Sequence, residues 1–131
     1  MIERIFPPLA PTPRGAYSPA VRAGDFIFVS GQGPIDPVTD KLAPGDIRQQ
    51  TALTLSNLRT ILRTCGATLD DVVKCSVFLK DAGEFKQMNE VYAEFFGANR
   101  PARTTVEAQF HHDEMRVEID CVAYKPKTGE A

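Results

Sequence analysis

Apolar residues recur at three- and four-residue steps in two stretches of the chain. In the first, Ile47, Thr51, Leu55, Leu58, Leu62 and Cys65 share one helical stripe. Asp46-Ile-Arg-Gln49 ahead of them has the form of a capping box, in which an acidic N-cap and a Gln at the third helical position satisfy each other's backbone N–H groups. Gly66 stands where a helix C-cap glycine belongs. The second stretch opens with Asp81-Ala-Gly-Glu84, read as another such box, and carries Phe85, Met88, Tyr92 and Phe95 on one stripe. Pro101 marks its outer limit.

The remaining apolar segments alternate with period two or are β-branched. Phe26–Ser30 and Val72–Lys80 read as strands. Arg103–Phe110 and Arg116–Tyr124 form a C-terminal pair joined by the polar loop His111-His112-Asp113-Glu114. Weaker strand signals lie near Ile2–Phe6 and around Tyr17–Arg22. The order of elements predicts an α+β domain: one mostly antiparallel sheet with both helices packed on one face. The other face must then meet water or another protein. In the last strand Val117, Ile119, Cys121 and Ala123 form an apolar face, while Arg116, Glu118, Asp120 and Tyr124 point the other way. The preceding strand places Arg103, Thr105, Glu107 and Gln109 on one face and Thr104, Val106, Ala108 and Phe110 on the other. Periodicity leaves open whether the uncovered face is solvated or a subunit interface.

Composition narrows the function classes. The 131 residues suffice for one domain, 1–131, with one core. A net charge of −2 and a pI near 5.7 give no general attraction to nucleic acid or anionic lipid. No apolar run has the length of a signal-peptide core or a membrane span. Cys65, Cys75 and Cys121 are odd in number and lack C-x-x-C spacing, so they read as buried free thiols in a reducing, cytoplasmic setting.

Several blocks, taken together and in order, carry a resemblance. They are Gly15-Ala-Tyr17-Ser-Pro-Ala, Val29-Ser30-Gly31-Gln32, Val72 to Asp81, Met88-Asn89-Glu-Val-Tyr92-Ala-Glu-Phe-Phe96, and Arg100-Pro101-Ala102-Arg103-Thr-Thr105-Val followed by Val117-Glu118-Ile119. Over nearly its whole length the chain resembles the RidA (YjgF) family of enamine/imine deaminases. The resemblance implies a chorismate-mutase-like fold, assembly as a homotrimer, and active-site clefts at the subunit boundaries. It implies hydrolysis of reactive 2-enamino and 2-imino acids, such as 2-aminoacrylate and 2-iminopropionate, to 2-oxo acids and ammonia, without a cofactor or metal.

On this resemblance Arg103 is the substrate-carboxylate arginine, whose planar fork can hold a carboxylate by two charge-assisted hydrogen bonds. Read alone, it would be a surface salt-bridge residue. Glu118 lies where the family has a glutamate near the reacting centre, able to orient water and accept its proton; alone it would be a cross-strand ion-pair partner. Tyr17, Ser30 and Gly31 match cleft-lining positions, Asn89 a pocket-lining one, and backbone N–H groups near Thr105 are placed to help bind the carboxylate. Asp120 shares the face of Glu118 and is open to two readings, a share in its role or, ahead of that, a solvated charge. Many relatives have cysteine at Thr105, an aliphatic residue at His111 and proline at His112. The adjacent histidines read as an exposed polar loop rather than metal ligands. Three other readings stand beside imine hydrolysis: a 2-aminomuconate-type deaminase acting on a longer dicarboxylate, a 2-oxo-acid-binding regulatory module with little turnover, and, last, a ribonuclease or translation inhibitor.

Overall fold

The computed structural model describes residues 1–127. Six strands form one sheet: β1 (Ile2–Ile5), β2 (Ala20–Ala23), β3 (Phe26–Gln32), β4 (Val72–Leu79), β5 (Ala102–Glu107) and β6 (Val117–Tyr124). Helix α1 (Ile47–Thr64) lies between β3 and β4, and α2 (Phe85–Phe96) between β4 and β5. The strand order is β1-β2-β3-β6-β4-β5. All pairings are antiparallel except β4 with β5. This is the α+β architecture that the hydrophobic pattern predicts.

Topology explains why both helices share one face. The connections β3–α1–β4 and β4–α2–β5 each join parallel strands and both step toward the β5 edge. Crossovers of this kind have one preferred hand, so two steps in the same direction put both helices on the same side. The C-terminal strands do not pair with each other as expected. β6 instead fills the gap between β3 and β4, gaining an antiparallel ladder on each side. Its inward residues Val117, Ile119, Cys121 and Ala123 are at most 2% exposed and sit at the centre of the core.

The first helix follows its local signals. Asp46 and Gln49 close the capping box. At the other end Gly66 takes φ +82°, and the N–H groups of Gly66 and Ala67 donate to the carbonyls of Arg63 and Leu62, a Schellman motif. Leu55, Leu58, Ile61 and Leu62 are fully buried, each stabilising the fold by about 1.5–3 kcal/mol relative to exposure. The second helix departs from expectation at its start. Asp81 accepts from the Gly83 N–H and caps a short 3₁₀ turn, Ala82–Glu84. Glu84 does not reach back, because its carboxylate pairs with Arg116 at 3.0 Å. The helix therefore begins at Phe85 and ends at Phe96, before Gly97. Its buried stripe is Met88, Val91, Tyr92 and Phe96, leaving Phe85 exposed and Phe95 at the margin.

The early strand near Tyr17 starts only at Ala20, which leaves Tyr17 in the preceding turn. Cys75 and Cys121 are buried and Cys65 partly so, all three as free thiols. Burial pushes the Cys75 thiol up to about 11, so it is not a ready nucleophile. Among the described residues no helix is long and apolar enough to cross a membrane.

Buried polar side chains hold the loops at one end of the sheet. Asn57, on α1 and 2% exposed, donates to the carbonyls of Gly33 (3.1 Å) and Ile35 (2.9 Å). Gln50 donates to the Glu114 carbonyl and accepts from the Arg116 N–H, at 2.8 and 2.7 Å. Asn57→Ala removes both donors and strands two carbonyl oxygens, so it should destabilise the fold by about 2–3 kcal/mol. Chemical denaturation checks this, and an unchanged midpoint would mean that the loop does not depend on Asn57.

Candidate functional site

Two groups of the predicted residues come together, on opposite sides of the sheet. The first forms where β3 meets β6. Their pairing slips between Val29 and Gln32, so Ser30 and Gly31 lie in an irregularity of the ladder. Glu118, on the uncovered face of β6, lays its carboxylate directly over Gly31. A Cβ added at Gly31 would lie 2.3 Å from Glu118 Oε2 and 2.9 Å from its Cδ. The glycine is needed for this close approach rather than for an unusual backbone angle.

Ser30 Oγ donates to the Ser18 carbonyl at 2.7 Å. Its proton is thus committed, and its remaining hydrogen-bonding capacity is as an acceptor. Tyr17 is exposed, and its hydroxyl accepts a long hydrogen bond from the Arg14 N–H at 3.4 Å. Arg14, Tyr17, Ser30, Gly31, His111 and Glu118 line one cleft of about 430 Å³. Burial raises the pKa of Glu118, Asp120 adds to the rise, and His111 opposes it. Asp120 is not a free solvated charge: its Oδ1 accepts from the Ser76 N–H at 3.2 Å.

The second group lies at the β5 edge against α2. Phe85, Asn89 and Tyr92 follow one another at four- and three-residue steps and so share a helix face. The Arg103 guanidinium lies 4.7 Å from the Tyr92 ring centroid and 5.3 Å from that of Phe85. Its Nη1 donates to Asn89 Oδ1 at 2.7 Å. Among the described residues it has no carboxylate partner, which removes the surface salt-bridge reading. Asn89, Tyr92, Arg100 and Arg103 line a recess of about 330 Å³.

Thr105 lines neither cavity, and its buried hydroxyl lacks a hydrogen-bond partner. Its backbone is better placed. β5 is an edge strand, and the Ala108 N–H donates inward to the Leu79 carbonyl. Alternation along the strand leaves the Thr105 N–H on the unpaired outer edge.

Register measures the separation of the two groups. Glu118 and Val106 both sit opposite Phe78, while Arg103 is three residues from Val106 along β5. Two strand spacings and three residue rises put the Cα atoms of Glu118 and Arg103 about 14 Å apart, with their side chains on opposite faces. The uncovered face also carries Phe26, Phe28, Val106 and Tyr124, each 42–46% exposed, so it is more apolar than the alternation of β5 and β6 alone suggested. The stacking of Phe85 and Tyr92 on Arg103, and the entry of Arg14 and His111 into the Glu118 cleft, are absent from the sequence reading. Helical spacing carries a signal for the first; nothing local carries one for the second.

An α+β domain with a six-stranded sheet, two helices on one face and polar clefts at its open face and edge defines a known class. The family model described as "Endoribonuclease L-PSP" matches residues 8–125. The chain is 48% identical over 125 residues to the RutC family protein PH0854 of Pyrococcus horikoshii, covering 95% of this chain and 99% of that one. Its structure is similar to that of RidA from an Antarctic Psychrobacter (TM-score 0.88, 34% identity, 93% and 98% of the two chains). It is similar also to Escherichia coli TdcF with bound serine (TM-score 0.87, 32% identity, 94% and 98%). The chain belongs to the RidA (YjgF) family, to which the RutC proteins also belong.

The raised pKa of Glu118 has a measurable consequence. The folded state holds this proton more tightly than the unfolded chain does. The resulting stability is fully present below the ordinary glutamate value of 4.5 and is lost as pH rises through the higher folded-state value. Glu118→Gln cannot titrate and escapes that loss, so its stability relative to the parent should improve as pH rises above 4.5. Denaturation midpoints of both proteins across this range check the sign, and a pH-independent difference would contradict it.

Proposed function

We propose that the protein hydrolyses reactive 2-imino and 2-enamino acids to 2-oxo acids and ammonia, at clefts shared between subunits of a homotrimer. The observation that carries this reading is Arg103. It is stacked on two aromatic rings, oriented by Asn89 and without a counter-ion among the described residues. A guanidinium held this way loses little side-chain freedom on gripping a carboxylate with its remaining N–H groups.

In the proposed reaction Arg103 and the outward N–H of Thr105 hold the substrate carboxylate. Water adds to the carbon of the protonated C=N group while the Glu118 carboxylate takes up its proton. The resulting carbinolamine receives that proton on nitrogen; as the C–N bond breaks and ammonia leaves, the Glu118 carboxylate takes the hydroxyl proton and the C=O group of the 2-oxo acid forms. A carboxylate whose pKa burial raises above the ordinary value takes up a proton more readily than a fully solvated one. Tyr17 covers the cleft, and Ser30 accepts a hydrogen bond from the iminium N–H or from the water. The gap of about 14 Å is too wide for one three-carbon acid to bridge, so Arg103 of one subunit must meet Glu118 of the next. The exposed aromatic face supports such assembly, since burying it against a second copy removes apolar surface from water. A closed ring repeats one heterologous contact without a free end. The bound serine of TdcF favours an amino-acid-sized ligand for this fold. The endoribonuclease name of the family model finds no basic stripe here to support it.

The test generates imino acids in situ with an amino-acid oxidase and follows their loss by semicarbazide trapping. Glu118→Gln should lower turnover by about 10²–10⁴-fold while the trimer persists; activity within about twofold of the parent would rule out the base role. Arg103→Lys keeps the charge but loses the fork, and should cost about tenfold or more in kcat/KM. Refolding the two variants together should restore activity, because a mixed ring contains clefts that pair an intact Arg103 with an intact Glu118. Absence of rescue in verified mixed trimers would place both residues in one subunit's site. Ligand binding without turnover would favour the regulatory-module reading.

A further inference from the structure

The Glu118 cleft offers more groups able to bind an anion than a single substrate carboxylate needs. Arg103 already serves that group in the proposed function, on which the following rests. Yet Arg14 and His111 also line the cleft, together with Glu118 and Tyr17. Arg14 forms no ion pair among the described residues. Its segment is nonetheless anchored. Thr12 donates to both oxygens of Asp40, through its N–H at 2.9 Å and its hydroxyl at 2.8 Å, and the Arg14 N–H reaches the Tyr17 hydroxyl. The segment entering the cleft is thus pinned on one side by Asp40, whose carboxylate also feels the Arg14 charge, while among the described residues no ion pair holds the guanidinium. His111 is close enough to Glu118 to act on its titration, and its loop is held at its far end by Gln50 through Glu114 and Arg116. Both side chains are therefore carried by tethered segments.

We propose that Arg14 and His111 form a second anion-holding point, and that the preferred substrates are imino acids bearing a second acidic group at the end of the side chain. Arg14 is the main partner, because its planar fork can take a carboxylate by two parallel hydrogen bonds and its charge persists at every physiological pH. His111 offers a ring N–H donor to the same group. A substrate held at both ends also has its imine carbon fixed between them, which favours a defined line of attack for water.

The test measures binding separately from turnover, using 2-oxo acids as stand-ins for the imines. Titration calorimetry compares 2-oxobutyrate with 2-oxoglutarate on the parent, Arg14→Leu and His111→Leu trimers. The parent should bind the dicarboxylate about fivefold or more tightly, allowing for the exposure of Arg14. That ratio should collapse toward one in Arg14→Leu and fall by less in His111→Leu. Equal affinities in the parent, or a preference that survives both substitutions, would overturn the proposal. The imine assay separates the two ideas. A binding preference that depends on Arg14 without imine hydrolysis would sink the deaminase reading and leave the second anion point standing. Hydrolysis of both imines with no dicarboxylate preference would do the reverse.

Discussion

Two amphipathic helices bury one face of a six-stranded sheet, and every strand must obey that choice at every second residue. Val117, Ile119 and Cys121 go under the helices, so Glu118 and Asp120 cannot. On β5 the same alternation, read through its parallel register with β4, turns Arg103 toward α2 and Val106 toward the open face. The distribution of the charged residues is thus a by-product of core burial. A one-residue slip of either strand would cost the apolar contacts of a whole face, which makes the placement of these side chains as firm as the fold.

Opposite faces put the two halves of the proposed site out of reach of each other within a chain, and each half has its own support. The carboxylate of Glu118 rests against the bare Cα of Gly31, at an irregularity that locally breaks the β3–β6 ladder. The guanidinium of Arg103 lies on Phe85 and Tyr92 and is steered by Asn89. One half is built from a sheet interior and the other from a sheet edge and a helix. A second copy that covers the open face is the simplest way to bring such halves together, and the aromatic residues on that face provide apolar surface for it.

Loops form the rim of the cleft, and buried amides decide where they run. Asn57 and Gln50 project from α1 and bind the backbone of residues 33–35 and 114–116. Fully buried amides of this kind must find partners, because unpaired they would cost more than the hydrogen bonds contribute. The core helix therefore positions the cleft rim directly.

Local signals in the chain were enough for much of this. The α1 capping box and its terminal glycine are complete within a few residues, and they form as written. Strand alternation marked the inward face of β6, and the blocks around Arg103, Glu118, Gly31 and Tyr17 carried the family and its candidate residues. What depended on distant partners was not legible. The box at Asp81–Glu84 fails because Arg116 takes the glutamate, and β6 leaves its neighbour in sequence to pair with β3 and β4. Nor does any local pattern tell that Arg103 and Glu118 face opposite ways, or that Arg14 and His111 enter one cleft. Periodicity and capping arise from interactions within one turn or one strand, so the sequence by itself determined them; strand order, register and the meeting of loops are settled by contacts between residues far apart in the chain, and those only the tertiary structure decided.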